Sequence, residues 1–309
     1  MTTVFSHTAC LGHNMGEGHP ERPARMDAVE QALQTEGLAG RLVRRNAERA
    51  TLDCIGLMHP QKYIEQIVAS VPSSGVTRLD ADTCLSPGSL EAALRAVGAA
   101  CSAVDEVILG ESKNAFCAVR PPGHHAETNK AMGFCIFNTV AIAAAYARQK
   151  YGVERVAVID FDVHHGNGTQ EMFWSDQNLL FASTHQMPLY PGTGSKNERG
   201  EFDNIVNCPL IEGDGSSEFR AAISDVILPG LVTFQPDLLL VSAGFDAHMN
   251  DPLAGLNLQD DDYAWVTKQL LGVADKFTNG RLVSTLEGGY DLSALSSSVA
   301  SHVEELLQV

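Results

Sequence analysis

Val156-Ala157-Val158-Ile159-Asp160-Phe161-Asp162-Val163-His164-His165-Gly166-Asn167-Gly168 passes from an apolar run into a dense cluster of carboxylates and imidazoles. An apolar run of this length reads as a strand buried on both faces, and so as part of a parallel sheet. In open α/β sheets ligands bind beyond the carboxyl ends of the strands, which is where this charge lies. Side chains two apart on a strand share a face, so Asp160, Asp162 and His164 are expected to project together. So much charge at the end of a core strand is costly unless something pairs with it. A bound metal ion is the natural compensation.

Working outward, short apolar runs alternate with longer helical patterns. Strands are expected at Val4–His7, Phe116–Arg120, Val156–Asp160, Leu179–Ser183, Ile205–Pro209, Leu238–Ala243 and Leu282–Glu287, with a weaker one near Arg41–Arg45. Helices are expected at Arg22–Glu36, Leu90–Leu109, Thr139–Lys150, Glu218–Phe234, Asp260–Phe277 and Ala294–Leu307. Ser89 and Asn138 are placed to cap the second and third of these. Strands alternating with helices imply an α/β fold, a mostly parallel sheet covered on both faces. With no repeat, low-complexity run or linker, one domain over residues 1–309 is expected. Gly192-Thr193-Gly194-Ser195-Lys196 lacks the Gly-Lys-Ser/Thr ending of a phosphate loop and reads as a tight turn.

Composition narrows the function. The 309 residues are 44% hydrophobic, enough for a sizeable core, and 21 basic against 38 acidic residues give a formal charge of −17. That balance argues against nucleic-acid binding and would attract cationic substrates. The N-terminus lacks the pattern of a signal peptide, and no apolar stretch approaches the ~18 residues of a membrane span. The seven cysteines contain no Cys-x-x-Cys pair and are odd in number, so buried thiols in a cytoplasmic protein are expected rather than a disulfide framework.

Four segments end expected strands with reactive side chains: Arg120-Pro-Pro-Gly-His124-His125, Asp160 to Asn167, Ser242-Ala-Gly-Phe-Asp246 and Glu287-Gly288-Gly289-Tyr290. Asp162, His164 and Asp246 offer two carboxylates and one imidazole, a donor set for a catalytic divalent ion. Zn²⁺ fits it, as would Fe²⁺ or Co²⁺. A lone Asp-x-His would only cap a turn; the same residue types at several strand ends reverse that reading. His124-His125 follows a turn stiffened by proline. Asp160 and Asn167 are positioned to fix the two tautomers, and a carboxylate on one ring with an amide on the other would give the histidines different roles. Tyr290, after two glycines, could donate a hydrogen bond to a polarised carbonyl. Phe134 lines either an apolar channel or the core. Arg22, in Gly18-His-Pro-Glu-Arg-Pro23, either braces the loops beneath a pocket or pairs with a surface acid. His165 has no task beyond packing or a local hydrogen bond.

Together these motifs resemble the zinc-dependent histone deacetylase superfamily, which includes bacterial acetylpolyamine amidohydrolases; the likeness runs from the Gly18 loop to Tyr290. The resemblance implies the arginase/deacetylase fold, a single α/β domain around an eight-stranded parallel sheet. It implies Asp162, His164 and Asp246 as zinc ligands, His125 as main general base and acid, His124 as its electrostatic partner and Tyr290 as carbonyl polariser. Gly133 and Phe134 fall where the family builds its tunnel wall, with Tyr190 opposite; Leu253, Gly288 and Gly289 belong to the same channel, and Arg22 to the exit side. The backbone around Asp160, Asp162 and His164, with Ser183 and Thr184, resembles a structural K⁺ site. Asn167 matches the class II-like form, and Leu253 replaces the gatekeeper glutamate of a polyamine-selective relative.

The expected function is removal of acetyl or related acyl groups from primary amines. Acyl-lysine side chains of peptides or proteins are the first substrate class, and acylated polyamines the alternative. A non-catalytic acyl-lysine binding protein on the same fold is the contrasting reading. Homo-oligomerisation is left open, and Asn14, Met15, Glu17 and Asp82 are expected to shape the rim.

Overall fold

The structure is a computed structural model and describes residues 1–308. Eight strands form one sheet: β1 (Thr2–Ser6), β2 (Val43–Asn46), β3 (Asn114–Cys117), β4 (Val156–Asp160), β5 (Leu179–Gln186), β6 (Ile205–Leu210), β7 (Leu238–Ala243) and β8 (Leu282–Leu286). Their order is β2-β1-β3-β8-β7-β4-β5-β6, and every adjacent pair is parallel. All strands therefore end on one edge of the sheet. The four central strands β3, β8, β7 and β4 are neighbours, although 168 positions separate Asn114 from Leu282 in the chain. This adjacency brings the four reactive segments together.

The strands β3, β4, β7 and β8 are buried throughout, as expected of a sheet sandwiched between helices. On one side Ser89–Leu109 packs on Thr139–Tyr151 and on β3; elsewhere Leu292–Leu306 packs between Ala24–Leu33 and Asp260–Phe277. Asn138 caps Thr139–Tyr151 by accepting from Ala141 N, 3.1 Å away. No helix among the described residues is long and apolar enough to cross a membrane.

Several expectations are corrected. Ser89 is the first helical residue, not the cap: its Oγ accepts from Ser86 N at 2.7 Å and meets His13 Nδ1 at 2.7 Å, and Gly88 holds the cap position. The helix expected at Glu218–Phe234 is Ser216–Ala222 and Leu228–Phe234 joined by a π-helical turn at Ile223–Ile227. Pro229 explains the interruption, since it has no N–H for the preceding turn and its ring crowds the carbonyl four residues back. Helices Leu52–Ile55 and Asn167–Phe173 and a hairpin of Thr77–Arg78 with Cys84–Leu85 are too short to carry a strong periodic signal and lie outside the expected elements, as does the helix Gln61–Ser70, although Tyr63, Ile64 and Ile67 mark its buried face.

Candidate active site

Strand β4 stops at Asp160, so strand alternation does not carry Asp162 and His164. Side chains organise the turn instead. Asp160 Oδ1 accepts from Asp162 N (3.1 Å), Asp162 Oδ1 from His164 N (2.9 Å), and Asp246 Oδ1 from Val163 N (2.9 Å). The turn closes at Gly166, the cap of Asn167–Phe173. Asp160 consequently points to His124, while Asp162 and His164 point to Asp246.

Donor atoms of Asp162, His164 and Asp246 lie within 4.8 Å of one another. His164 Nδ1 is 3.1 Å from Asp162 Oδ1 and 3.1 Å from Asp246 Oδ2. Asp162 Oδ2 is held by Gly288 N at 2.8 Å. The two carboxylates are 1% and 0% exposed, and burial together with the Asp162 charge raises the pKa of Asp246. Like charges side by side in the interior call for a cation. The set fits a divalent ion bound by oxygen and nitrogen. Gly288 cannot be replaced: a Cβ there would stand 2.1 Å from Asp246 Oδ2.

A second buried trio, His124, Cys135 and Glu287, also comes within 4.8 Å, but its groups are committed elsewhere. Glu287 Oε2 accepts from Gly123 N (2.6 Å) and His124 N (3.2 Å), and Cys135 Sγ donates to Gly133 O (3.3 Å). Burial pushes the Cys135 thiol well up.

The paired histidines have unlike partners. His124 Nδ1 lies 2.9 Å from Asp160 Oδ2, and His125 Nδ1 lies 2.8 Å from Asn167 Oδ1. Burial opposes charge on His124, but Asp160, Asp162 and Glu287 together hold its pKa well above the usual histidine value. Burial, with the positive charges of His124 and His164, holds His125 well below it. The surroundings thus favour the charged form of His124 and the neutral form of His125. Asn167 Nδ2 donates to Glu127 Oε1 at 2.8 Å, which turns its oxygen toward His125. The proton of His125 is thereby assigned to Nδ1, leaving Nε2 free as a base.

Around these groups stand aromatic walls. Tyr190 meets His125 edge-on, with ring centroids 5.2 Å apart, and Phe134 meets Tyr290 at 5.8 Å. Phe134 is half-buried and adopts φ 69°, pinned by its N–H to Thr83 Oγ1 (2.9 Å) and by the His19 ring at 4.7 Å. Gly133 lies against His125, and a Cβ there would be 2.3 Å from His125 Cδ2. Of the expected rim residues, Asn14 and Glu17 are exposed, Asp82 accepts from Gly133 N (3.1 Å), and Met15 is buried. Leu253 is tied in only indirectly: Asp251 accepts from Leu253 N (3.0 Å) and from Tyr290 N (2.7 Å). Ser183 lies beside Asp160 in strand register, followed by Thr184. A groove of about 950 Å³ runs along edge strand β6 and contains none of these residues.

Arg22 is not the brace. It precedes the helix Ala24–Leu33 and is exposed, whereas Arg25, the second residue of that helix, is fully buried. Arg25 donates to Gly289 O (2.6 Å), Glu287 O (2.5 Å) and Glu21 Oε1 (3.2 Å), and its guanidinium lies 5.0 Å from the Tyr290 ring centre. Glu21 is shared with buried Arg120, whose charge overcomes the burial penalty and holds the carboxyl far below its usual range. Arg25→Ala is expected to cost about 3–5 kcal/mol by breaking a buried pair, and Arg22→Ala within ~0.5 kcal/mol. Denaturant unfolding of the two variants checks this.

Arg25, Glu127, Asp251 and Glu287 were thus missed as supports. Their signal in the sequence is weak, because each acts through a backbone or amide group contributed by a distant segment. His165, left without a task, joins a relay. Its Nδ1 meets Thr193 Oγ1 (2.8 Å) and its Nε2 donates to Gln170 Oε1 (3.0 Å), while Gln170 donates to Glu198 (2.6 Å), which accepts from Gly194 N (3.0 Å). The Gly192–Lys196 turn is therefore a fastening for the loop that carries Tyr190.

Comparison with known proteins matches this geometry. The model of the histone deacetylase domain matches residues 19–306. The histone deacetylase-like amidohydrolase of Pseudomonas aeruginosa is 38% identical over 99% of this chain and 86% of its own. Chloroplastic histone deacetylase 14 of Arabidopsis thaliana is 38% identical over 98% of this chain and 76% of its own. The solved HDA15 HD domain superposes with a TM-score of 0.94 at 34% identity, covering 99% of this chain and 88% of that one. The eight-stranded parallel sheet is the fold of that neighbour, and the chain belongs to the histone deacetylase family.

Proposed function

We propose that this hydrolase removes acetyl or related acyl groups from the side-chain amine of lysine in peptides or proteins, using Zn²⁺ held by Asp162, His164 and Asp246. The observation that carries the reading is the convergence of those three donors, His125 and Tyr290 on four neighbouring strand ends. Zn²⁺ in such a site acts as a Lewis acid, acidifying a water and polarising a carbonyl. His125, neutral and hydrogen-bonded through Nδ1 to Asn167, takes the water's proton at Nε2. His124, kept cationic by Asp160 and its neighbours, supplies positive charge beside the developing anion. Burial keeps the Tyr290 phenol protonated, so it donates to the carbonyl oxygen as that oxygen gains charge. His125 then returns its proton to the departing nitrogen, and a carboxylate and a free amine leave. Phe134 and Tyr190 form the walls that select a slender acyl-amine arm. Asp160, Asp162 and His164, with Ser183 and Thr184, form a structural K⁺ site in the same reading. Seven cysteines, none bridged, suit a reducing compartment such as the cytoplasm.

An acylated polyamine is the second reading, favoured by the acidic surroundings of Tyr190. Asp82, Asp80 and Glu127 all act on that phenol alongside burial, which is the largest influence. Turnover of an acetyl-lysine peptide is compared with that of acetylputrescine and acetylspermidine. A preference of about tenfold or more for the peptide in kcat/KM is expected, and a reversed order replaces the first reading by the second.

Asn167→Asp tests the base. A carboxylate at His125 Nδ1 favours the imidazolium and raises its pKa by roughly 1–3 units. The base form is then lost at higher pH, so the acid limb of the kcat/KM profile moves upward. An unmoved limb contradicts the assignment of His125.

A further inference from the structure

Two thiols that the chemistry above does not use lie in contact. Cys54 Sγ and Cys101 Sγ are 3.5 Å apart, joining the short helix Leu52–Ile55 to the long helix Ser89–Leu109. A disulfide spans ~2.05 Å, so the two sulfurs, already in contact, must approach by about 1.5 Å for the bond to form. The two sulfurs differ in access. Cys54 is half-buried beside exposed Leu52 and Asp53, whereas Cys101 is 7% exposed in an apolar cluster with Ile55, Val97 and Ile142. The remaining five cysteines are all buried. Contact with Cys101 lowers the Cys54 pKa, and the same contact with burial pushes Cys101 up. Thiolate character and exposure together decide which thiol meets an oxidant.

We propose that Cys54 and Cys101 form a reversible disulfide, with Cys54 as the thiol that meets a peroxide and Cys101 as the thiol that resolves it. Cys54 Sγ attacks one oxygen of hydrogen peroxide, the O–O bond breaks, and one water leaves as Cys54 becomes a sulfenic acid. Cys101 Sγ attacks that sulfur, the S–O bond breaks, and a second water leaves. The thiols give up two protons and two electrons, and the peroxide is reduced to two waters. A reduced dithiol reverses the step by exchange.

The position of the pair sets its effect. Beyond Cys54 the chain reaches buried His59, whose Nδ1 donates to Thr128 O (3.1 Å) and whose Nε2 accepts from Asn138 N (2.9 Å). Those two residues bracket the loop that carries Gly133 and Phe134. The bridge ties the latch of this loop to a core helix and touches no reacting group. It also restrains the unfolded chain across a separation of 47 residues. Oxidation is expected to stabilise the enzyme and leave its turnover unchanged.

The test uses the full-length, metal-loaded enzyme, treated with graded hydrogen peroxide, alkylated and digested without reductant. A peptide joining Cys54 to Cys101 is expected; it disappears with dithiothreitol and is absent from Cys54→Ser. In the reduced enzyme iodoacetamide labels Cys54 ahead of the other cysteines. The melting temperature of the wild type rises by several degrees on oxidation and returns on reduction, and Cys54→Ser shows neither change. That variant alters a half-exposed position and keeps both fold and basal turnover. The proposal is overturned if Cys54 proceeds to sulfinic or sulfonic acid while Cys101 stays free, if the bridges join other cysteines, or if the bridge forms without a rise in melting temperature.

Discussion

Replacing Asp246 with asparagine is expected to strip the metal and reduce kcat/KM by about 10³-fold or more. That is the scale of several kcal/mol of charge stabilisation lost at the reacting carbonyl. The carboxylate is fully buried, and its Oδ2 is one of three atoms converging on the site. Asparagine retains an oxygen for Val163 N but cannot match the charge. Metal analysis after dialysis should show a stoichiometry near zero in the variant, against one in the wild type. The loss is not unfolding. Metal-free Asp246→Asn should be at least as stable as the metal-free wild type, because the substitution removes a like charge that burial and Asp162 already disfavour. A variant that keeps both metal and turnover contradicts the ligand set.

Tyr290→Phe separates chemistry from binding. The ring is positioned by Phe134, by the Arg25 guanidinium and by the bond from its own N–H to Asp251, and phenylalanine preserves all three. Only the hydroxyl is lost. The expected result is a fall in kcat of ~10²–10³-fold, the usual effect of one oxyanion donor. Metal content and KM should change little, since the interaction strengthens only in the transition state. Equal kcat in the two proteins removes Tyr290 from the reaction.

Much of the sheet was legible because buried strands write themselves as apolar runs. Val156–Asp160 and Leu238–Ala243 begin and end where the sequence places them, and all eight expected strands form one sheet. The strand order was not legible, since β8 lies between β3 and β7 through pairings that local pattern does not encode. Convergence at the site was foreseen from residue types, yet for a partly different reason. Asp162 and His164 meet Asp246 because carboxylates bond the amides of the Phe161–His165 turn, not because alternate strand residues share a face. The brace shifted from Arg22 to Arg25 on the same ground. Which arginine points inward depends on where the helix starts, and Pro23 occupies the cap rather than the first turn. Glu127 and Asp251 left no mark because each is a lone acid in a polar loop, given a role only by its partner's position.

Metal-dependent hydrolysis of an acyl amide releases acetate, and that release is the decisive measurement. The enzyme is stripped with a chelator, reloaded with graded Zn²⁺ and assayed on an acetyl-lysine peptide alongside acetylated polyamines. No turnover is expected in the stripped protein, and turnover should return in proportion to bound metal, with one acetate and one free amine per event. A folded, zinc-loaded protein that binds these compounds but releases acetate from none of them would contradict metal-dependent hydrolysis.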